Sequence, residues 1–226
     1  MDLSVIIPIA PNDESWRSLL PDLFFLTEKD EIIMVSPDSR PVNLGDFNLK
    51  ANIFWINSDL GRAIQLNIGA KKARNEFLWF LHSDSKINQK SYEILIRRID
   101  SKLDALYYFD LKFLNDGSKL MFLNQVGTFI RSRLFSIPFG DQAFCIRRDL
   151  FNLLKGFDES CSYGEDHLFV WKARINNIQI ISVGESIYTS ARKYKKNGWL
   201  TTTIDHLLKT YEQAFPQMIK LIRGKL

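Results

Sequence analysis

Short runs of β-branched, aromatic and other apolar residues alternate along this chain with segments whose apolar residues recur every three or four positions. This alternation is typical of an α/β fold with a mostly parallel, twisted sheet flanked by helices. It predicts seven strands, at residues 3–9, 31–35, 52–56, 77–81, 105–113, 142–146 and 178–183.

The helical segments fall between the predicted strands. The spacing of apolar residues predicts helices at 16–26, at 62–73 with Asp59 as N-cap, at 91–99 and at 166–176. Another helix is expected between the Asn115-Asp116-Gly117 turn and Pro138. Beyond Arg192 the pattern favours one or two amphipathic helices, packed on the domain or lying on a surface.

The length of 226 residues suits a single domain around one core. No apolar run approaches the roughly 20 residues of a membrane helix, and no secretory leader pattern is present, so we expect a cytoplasmic protein. Two cysteines are too few for a disulfide framework. The net charge of +4 is unevenly spread, with basic residues gathered late in the chain, which fits a solvated face or contact with phosphate, with nucleic acid or, peripherally, with an anionic membrane.

Two acidic positions carry the candidate chemistry. Asp84 follows the apolar run 77–81, and ligands of open α/β sheets bind at the carboxyl ends of strands. The alternative for Asp84 is a turn or a helix N-cap. Glu165 and Asp166 open a predicted helix, where carboxylates are often purely structural because they suit the helix dipole.

The order of these motifs resembles family 2 of the glycosyltransferases, which have the GT-A fold, over almost the whole chain. Leu3-Ser4-Val5-Ile6-Ile7-Pro8 is similar to the opening strand, and His82-Ser83-Asp84 stands at the position of the D-x-D metal motif. A small bacterial branch is closest in pattern. Its motifs appear here as G-R-A-I-Q-L-N-I-G-A at 61–70, L-H-S-D at 81–84, P-F-G-D-Q at 138–142 and S-A-R at 190–192.

The resemblance implies a nucleotide-sugar-binding half at 1–100, an acceptor and catalytic half at 101–198 and a C-terminal helical appendage at 199–226, all within one GT-A domain. It implies a nucleotide-sugar donor, a hydroxyl acceptor, no nucleic-acid partner and a divalent Mn²⁺ or Mg²⁺ cofactor. The donor would be bound by Pro8, Ile9, Asp38, Arg62, Asn67, Ser83, Arg192 and Lys195.

The resemblance also implies the catalytic roles. Asp166 is expected to be the general base of an inverting transfer. Asp141, Gln142 and Glu165 are expected to contact the donor sugar or the acceptor. Asp84 would bind the metal, and His82, in place of the first Asp of D-x-D, is either a second ligand or a buried structural histidine. A further departure is Ser36-Pro37-Asp38-Ser39, where the family usually has an Asp-Asp or Asp-Gly-Ser sequence.

Other functions fit the sequence less well. A dinucleotide-binding oxidoreductase needs a glycine-rich turn after the first strand, and residues 8–13 contain no glycine. A nucleotidyltransferase would share the sheet and the metal carboxylate but would bring a basic, glycine-rich loop. A non-catalytic binding or scaffold protein that kept the fold remains an alternative.

Overall fold

A computed structural model describes residues 1–118, 120–192, 194 and 198–223 of the chain. It contains a seven-stranded sheet in the order β3-β2-β1-β4-β6-β5-β7. The strands are β1 Leu3–Pro8, β2 Glu31–Ser36, β3 Asn52–Asn57, β4 Phe77–Phe80, β5 Ala105–Phe113, β6 Cys145–Arg147 and β7 Gln179–Thr189. β6 runs antiparallel to its neighbours β4 and β5, whereas every other pairing in the sheet is parallel. The α/β class and the mostly parallel sheet are therefore confirmed.

The helices lie between the strands as the alternation predicts. They are α1 Trp16–Leu19, α2 Arg62–Lys72, α3 Gln89–Ser101, α4 Met121–Leu134, α5 Arg148–Leu153, α6 Glu165–Ile175 and α7 Trp199–Arg223. Short 3₁₀ turns cover Leu20–Leu23, Val42–Asp46 and Gly140–Gln142. The division of the chain at residues 100 and 198 stays a prediction.

Both faces of the sheet are covered, which explains the continuous apolar strands. In β1, Val5 and Ile7 pack into the cluster on one face, and Ile6 packs into the cluster on the other. All six residues of β1 and of β2 are buried. Parallel strands buried on both faces give such unbroken hydrophobic runs.

Three local predictions are wrong for identifiable reasons. The helix expected at 16–26 ends as an α-helix at Leu19, because Pro21 favours the 3₁₀ turn Leu20–Leu23 in its place. The N-cap of α2 is Gly61, at a φ of 149° that favours glycine, rather than Asp59. The strand expected at 142–146 begins only at Cys145, because Gln142 belongs to a 3₁₀ turn.

Candidate functional site

The candidate site lies where the chain reverses direction across the sheet. From β1 the chain continues to β2 and β3 on one side, and β4 pairs with β1 on its other side. The loops that follow β1 and β4 therefore run in opposite directions and leave a crevice between them. Ligands of open α/β sheets bind at such a switch point. A pocket of about 340 Å³ opens here. Six residues expected from the sequence line it: Pro8, Arg62, His82, Ser83, Asp84 and Arg192.

The tip of β4 presents Asp84 to the pocket. The four residues of β4 are buried, so the chain emerges from the core directly into His82-Ser83-Asp84. Among the residues that the structure describes, Asp84 accepts one weak side-chain hydrogen bond, of 3.5 Å, from the Thr189 hydroxyl to its Oδ1. Burial raises the pKa of Asp84 above its ordinary value, and the negative charge of Asp13 adds to this effect. Asp84 is therefore a carboxylate short of positive charge.

The loop after β1 contributes residues that sequence reasoning missed. Asp13 accepts a hydrogen bond of 2.5 Å from the Ser83 hydroxyl, and Ser15 lines the same pocket. Burial opposes ionisation of Asp13, but its hydrogen bonds to Ser83 and Ser15 and the charge of Arg192 outweigh it and lower the pKa. Asp13 is therefore ionised beside Asp84. The sequence feature that could have indicated Asp13 and Ser15 is the polar loop that follows the buried strand β1.

The first turn of α2 closes one side of the pocket. Gln65 is buried, and its Nε2 donates to the carbonyl oxygens of Ile9 at 2.7 Å and of Val35 at 2.9 Å. This amide therefore holds the ends of β1 and β2 together. Arg62 reaches across to the start of α6, where it forms an ion pair with Glu165 and lies 3.8 Å from Asp166 Oδ1.

Both carboxylate oxygens of Asp166 accept backbone hydrogen bonds. Its Oδ2 accepts from the backbone N–H of Gly140 at 2.6 Å, and its Oδ1 accepts from that of His167 at 2.8 Å. Burial alone would raise its pKa, but the charge of Arg62 and the two N–H groups outweigh burial and hold the pKa below its ordinary value. A Cβ on Gly140 would lie 2.9 Å from Asp166 Oδ2, so this approach requires glycine.

His82 sits between these two parts of the site. Burial, followed by the charge of Arg62, lowers the pKa of His82 to about 4. The imidazole is therefore neutral at pH 7 and keeps a lone pair. A neutral ring can serve as a metal ligand or as a hydrogen-bond partner.

Asp141 and Arg131 are two buried charged residues that interact electrostatically with each other and with Asp166. Burial raises the pKa of Asp141 to about 6, and the charges of Asp166 and Asp84 act in the same direction against those of Arg131 and Arg62. Within the described part of the chain, Asp141 Oδ1 and one terminal nitrogen of Arg131 are buried without a hydrogen-bond partner. Arg131, which sequence reasoning missed, also lies over the Phe139 ring.

Five residues expected to contact the donor or acceptor have structural partners in the chain and do not line the pocket: Ile9, Asp38, Asn67, Gln142 and Glu165. Asp141 and the expected base Asp166 do not line it either, but Arg62, which does, lies 3.8 Å from Asp166. Asp38 accepts from the Asn12 N–H at 2.8 Å, and Ile9 is buried with its carbonyl bonded to Gln65. Asn67 exchanges hydrogen bonds with the backbone of Phe157. Gln142 is fully buried and bonds the carbonyl of Phe109 and the N–H of Phe139.

Arg192 lies on the opposite rim from α2. Its Nε is 2.9 Å from the Ser190 hydroxyl, and one of its terminal nitrogens is 3.2 Å from the Ser15 hydroxyl. These contacts hold the guanidinium at the pocket without an acidic partner among the described residues. Lys195, expected beside it, lies outside the described residues.

The side chains of the pocket fit a cation that is shared with a substrate. Across the described residues, no group of three or more His, Cys, Asp or Glu side chains is arranged to hold a metal by itself. Mg²⁺ is commonly bound through only one or two carboxylates together with substrate phosphates. Asp84, with its weak internal contact and raised pKa, fits that arrangement, and neutral His82 is available beside it.

A larger, shallower hollow of about 870 Å³ lies elsewhere, around Met1, Lys29 and Arg97. It contains residues from neither the tip of β4 nor the start of α6. Its lining joins the amino end of the sheet to α3, where parallel strands do not place ligands. Volume alone therefore does not identify the functional site.

Comparison with known proteins agrees with this geometry. Residues 13–152 match the family model described as glycosyl transferase family 2. The solved structure of TarS 1–349 from S. aureus in complex with UDP-GlcNAc is similar, with 24% identity and a TM-score of 0.66 over 84% of this chain and 58% of that one. The chain thus spans little more than half of that TarS fragment. No curated protein matches.

A second structural neighbour covers nearly the whole chain. It is the mannosyltransferase PcManGT from Pyrobaculum calidifontis in complex with GDP-Man and Mn²⁺, with 14% identity and a TM-score of 0.69. The match covers 99% of this chain and 68% of that one. At these identities the two neighbours establish the GT-A-type fold.

Proposed function

Because this chain belongs to glycosyl transferase family 2, we propose that it transfers a sugar from a nucleotide-sugar donor to an acceptor hydroxyl, with inversion and with help from a divalent cation. The observation that carries the proposal is the position of Asp84. It is an under-bonded carboxylate at the tip of a buried strand, in the pocket at the switch point of the sheet.

The donor diphosphate would lie between Asp84 and Arg192. When bound by Asp84, a divalent cation would supply positive charge that stabilises the leaving diphosphate. Arg192 faces the same pocket, and its planar fork suits phosphate oxygens. Pro8 and Ser83 line the adjoining wall, where the nucleoside would bind. His82 is close enough to the pocket to act as a second ligand.

Asp166 would accept the proton of the attacking hydroxyl. Its lowered pKa keeps it ionised at pH 7, and its two backbone N–H donors fix both oxygens in place. One base is sufficient for a direct displacement that inverts the anomeric centre. Glu165 is held by Arg62 and would position the first turn of α6, while Asp141 would receive the sugar or acceptor beside it.

The two partners are then a nucleotide sugar and an unidentified hydroxyl acceptor. The solved neighbours bind UDP-GlcNAc or GDP-Man, and these two donors are the first to test. A cytoplasmic location stays a prediction. Of the helices in the described residues, none combines the length and the apolar character that crossing a bilayer requires.

The experiment is a donor screen on the whole chain. Thermal unfolding is followed with UDP-, GDP- and ADP-sugars, each with Mn²⁺, with Mg²⁺ or with EDTA. A specific donor at a hundred times its Kd stabilises the folded state by about 2.7 kcal/mol. We expect one nucleotide class to raise the Tm only when the metal is present, and to release its nucleoside diphosphate slowly.

The products distinguish the alternatives. A nucleotidyltransferase would use a nucleoside triphosphate and release pyrophosphate. A scaffold protein would bind a nucleotide sugar without releasing nucleoside diphosphate, even with metal present. Donor binding that is unchanged by EDTA would contradict the role of the cation. Glycosyl transfer itself would then be tested by the product assay.

A further inference from the structure

The C-terminal helix α7 packs on the domain through its polar side. Thr202 is 5% exposed. Gln213 donates to the carbonyl of Tyr163 at 2.6 Å and contacts His167 Nδ1 at 3.1 Å. A helix on a water-soluble domain normally buries its apolar stripe and exposes its polar side. The orientation of α7 is therefore inverted.

The apolar stripe of α7 faces outward instead. Its residues recur every three or four positions and remain between 47% and 67% exposed: Leu200, Ile204, Leu207, Leu208, Tyr211 and Phe215. Isolated apolar residues on a surface need no explanation, but a continuous stripe indicates an interaction surface. The sequence pattern predicts a helix here without indicating which side is covered.

Helix α4 has the same inverted orientation. Ser132 is buried together with Met121 at the first position, whereas six apolar residues are between 39% and 73% exposed: Phe122, Leu123, Val126, Phe129, Ile130 and Leu134. Asn124 joins the two helices, because it donates to the Thr203 hydroxyl at 3.1 Å and accepts from the Trp199 indole. We call these two exposed stripes the apolar face of α4 and α7.

The basic residues of the chain are concentrated, in sequence, in the C-terminal segment that contains α7. Residues 192–226 contain eight Lys or Arg and two Asp or Glu, whereas the preceding 191 residues contain 22 basic and 24 acidic residues. The net charge of +4 therefore comes entirely from the C-terminal segment. An anionic surface complements this segment. A second copy docked on the same face would place like charges together, because a two-fold interface apposes identical patches.

We propose that the apolar face of α4 and α7 docks on an anionic membrane surface, with the apolar side chains at the boundary of headgroups and acyl chains. Helices with an apolar side, basic residues and little overall hydrophobicity lie in that plane. Each Lys or Arg close to an anionic leaflet strengthens attachment by about 1 kcal/mol. This proposal concerns a surface outside the donor pocket and does not depend on glycosyl transfer.

The test is co-sedimentation of the whole chain with vesicles, without donor or metal. Vesicles of phosphatidylcholine alone are compared with vesicles that contain about 30% phosphatidylglycerol, a fraction that gives the negative surface potential the proposal requires. We expect binding to the anionic vesicles that weakens with added salt. The double variant Leu208→Ser/Phe215→Ser should bind at least tenfold more weakly, because each buried CH₂ contributes about 0.8 kcal/mol.

The matched control is Phe24→Ser. Phe24 is 59% exposed, close to the 53% of Phe215, but it follows the 3₁₀ turn Leu20–Leu23 in another part of the chain. Unchanged Tm values verify that the variants are folded. Equal binding by wild type and double variant, equal loss in Phe24→Ser, or no preference for anionic vesicles would each overturn the proposal. So would a dimer in light scattering that the double variant converts to a monomer.

Discussion

The tip of β4 places a carboxylate in the pocket and the start of α6 places one beside it, next to Arg62, but the two are held in opposite ways. From the side chains that the structure describes, Asp84 accepts one weak hydrogen bond, and its pKa is raised by burial and by Asp13. Asp166 has two backbone donors and the nearby charge of Arg62, which lower its pKa against burial. A carboxylate with little compensating positive charge, such as Asp84, is suited to bind a cation. A carboxylate whose oxygens already accept hydrogen bonds, such as Asp166, is suited to keep a fixed position and stay ionised.

The difference follows from local backbone structure. Asp84 emerges from a strand end, where the chain offers few N–H groups to a side chain. Asp166 stands in the first turn of a helix, where N–H groups are unpaired and the dipole favours a negative charge. Gly140, in a different segment, supplies the second donor. The fold therefore places two aspartates in environments that shift their pKa values in opposite directions. Active sites commonly separate the roles of their carboxylates in this way.

The largest expected effect is on turnover, in Asp166→Asn. A general base contributes about 10²–10⁴-fold, and an amide cannot accept the proton. We expect the kcat to fall by that factor while donor affinity stays within about twofold, measured by single-turnover transfer and by calorimetry.

The control for this variant is Asp149→Asn. Asp149 also stands in the first turn of a helix, bonds a backbone N–H and pairs with an arginine, Arg147, but its partners belong to β6 and α5 and not to the site around Arg62 and Gly140. Its variant should transfer sugar at the wild-type rate. Comparable kcat values for wild type and Asp166→Asn would remove Asp166 from the mechanism and leave it a purely structural role.

Asp84→Asn should affect binding rather than the proton transfer. Loss of the anionic ligand should lower metal-dependent affinity for the nucleoside diphosphate by about 10²–10³-fold, since metal charge stabilisation amounts to several kcal/mol. The Tm without ligand should hold or rise slightly, because the change removes a carboxylate whose ionisation burial and Asp13 disfavour.

Calorimetric titration with and without Mn²⁺ measures this effect, and the exposed Asp46→Asn is the control. An unchanged Mn²⁺-dependent affinity in Asp84→Asn would mean that Asp84 is only a turn residue. The contrast between the two carboxylates would then have no functional meaning.

Arg192 extends the comparison to the opposite rim, with a smaller expected effect. Arg192→Ala should weaken binding of the nucleoside diphosphate by about 10-fold or more, because charge-assisted hydrogen bonds contribute about 1.5–3 kcal/mol. Arg192→Lys keeps the charge but loses the fork, so an intermediate loss is expected.

The diagnostic measurement is the affinity for the diphosphate relative to that for the bare nucleoside. Only the diphosphate would engage Arg192, and the exposed Arg40→Ala serves as control. Equal losses for nucleoside and diphosphate, or no loss for either, would refute the phosphate clamp.

Much of the fold follows from the sequence because alternation and burial are local properties. The ends of β1 and β4 could be placed at one edge of the sheet, since the carboxyl ends of parallel strands share it. This accounts for Pro8, Ser83 and Asp84. Predictions were wrong where one residue overrides a pattern, as Pro21 does in the turn that follows α1.

The polar contacts of the site were harder to predict from the sequence because they join segments that are far apart along the chain. Ser83 bonds Asp13 from 70 residues away, and Asn67 bonds the backbone of Phe157 from 90 residues away. A motif places a residue near a site, but it does not show whether the polar atoms of that residue already form hydrogen bonds within the chain. The inverted orientation of α7 illustrates the same limit, because periodicity identifies an apolar stripe without its partner.

The smallest effect concerns stability and Asp141, the third carboxylate of the site. Its folded pKa of about 6 exceeds the ordinary value of 3.8, chiefly through burial. The folded state therefore binds a proton more tightly than the unfolded state does. The resulting destabilisation of the wild type grows as the pH rises from about 4 and is complete above about 6. This direction is opposite to that of Asp166, whose lowered pKa makes its contribution strongest at neutral pH.

Asp141→Asn removes this titration while keeping the shape of the side chain, and an amide resembles the protonated acid beside Arg131. The Tm of the variant minus that of the wild type should therefore increase between pH 5 and pH 7.5, by roughly 2–4 °C for a change of about 1 kcal/mol in a domain of this size. Scanning calorimetry across that range measures the difference, and Asp46→Asn should show no such trend. A Tm difference that is flat or falls with pH would show that Asp141 is ionised as easily in the folded protein as in water. Of the two carboxylates, only Asp84 would then have a pKa raised by its surroundings in the folded protein.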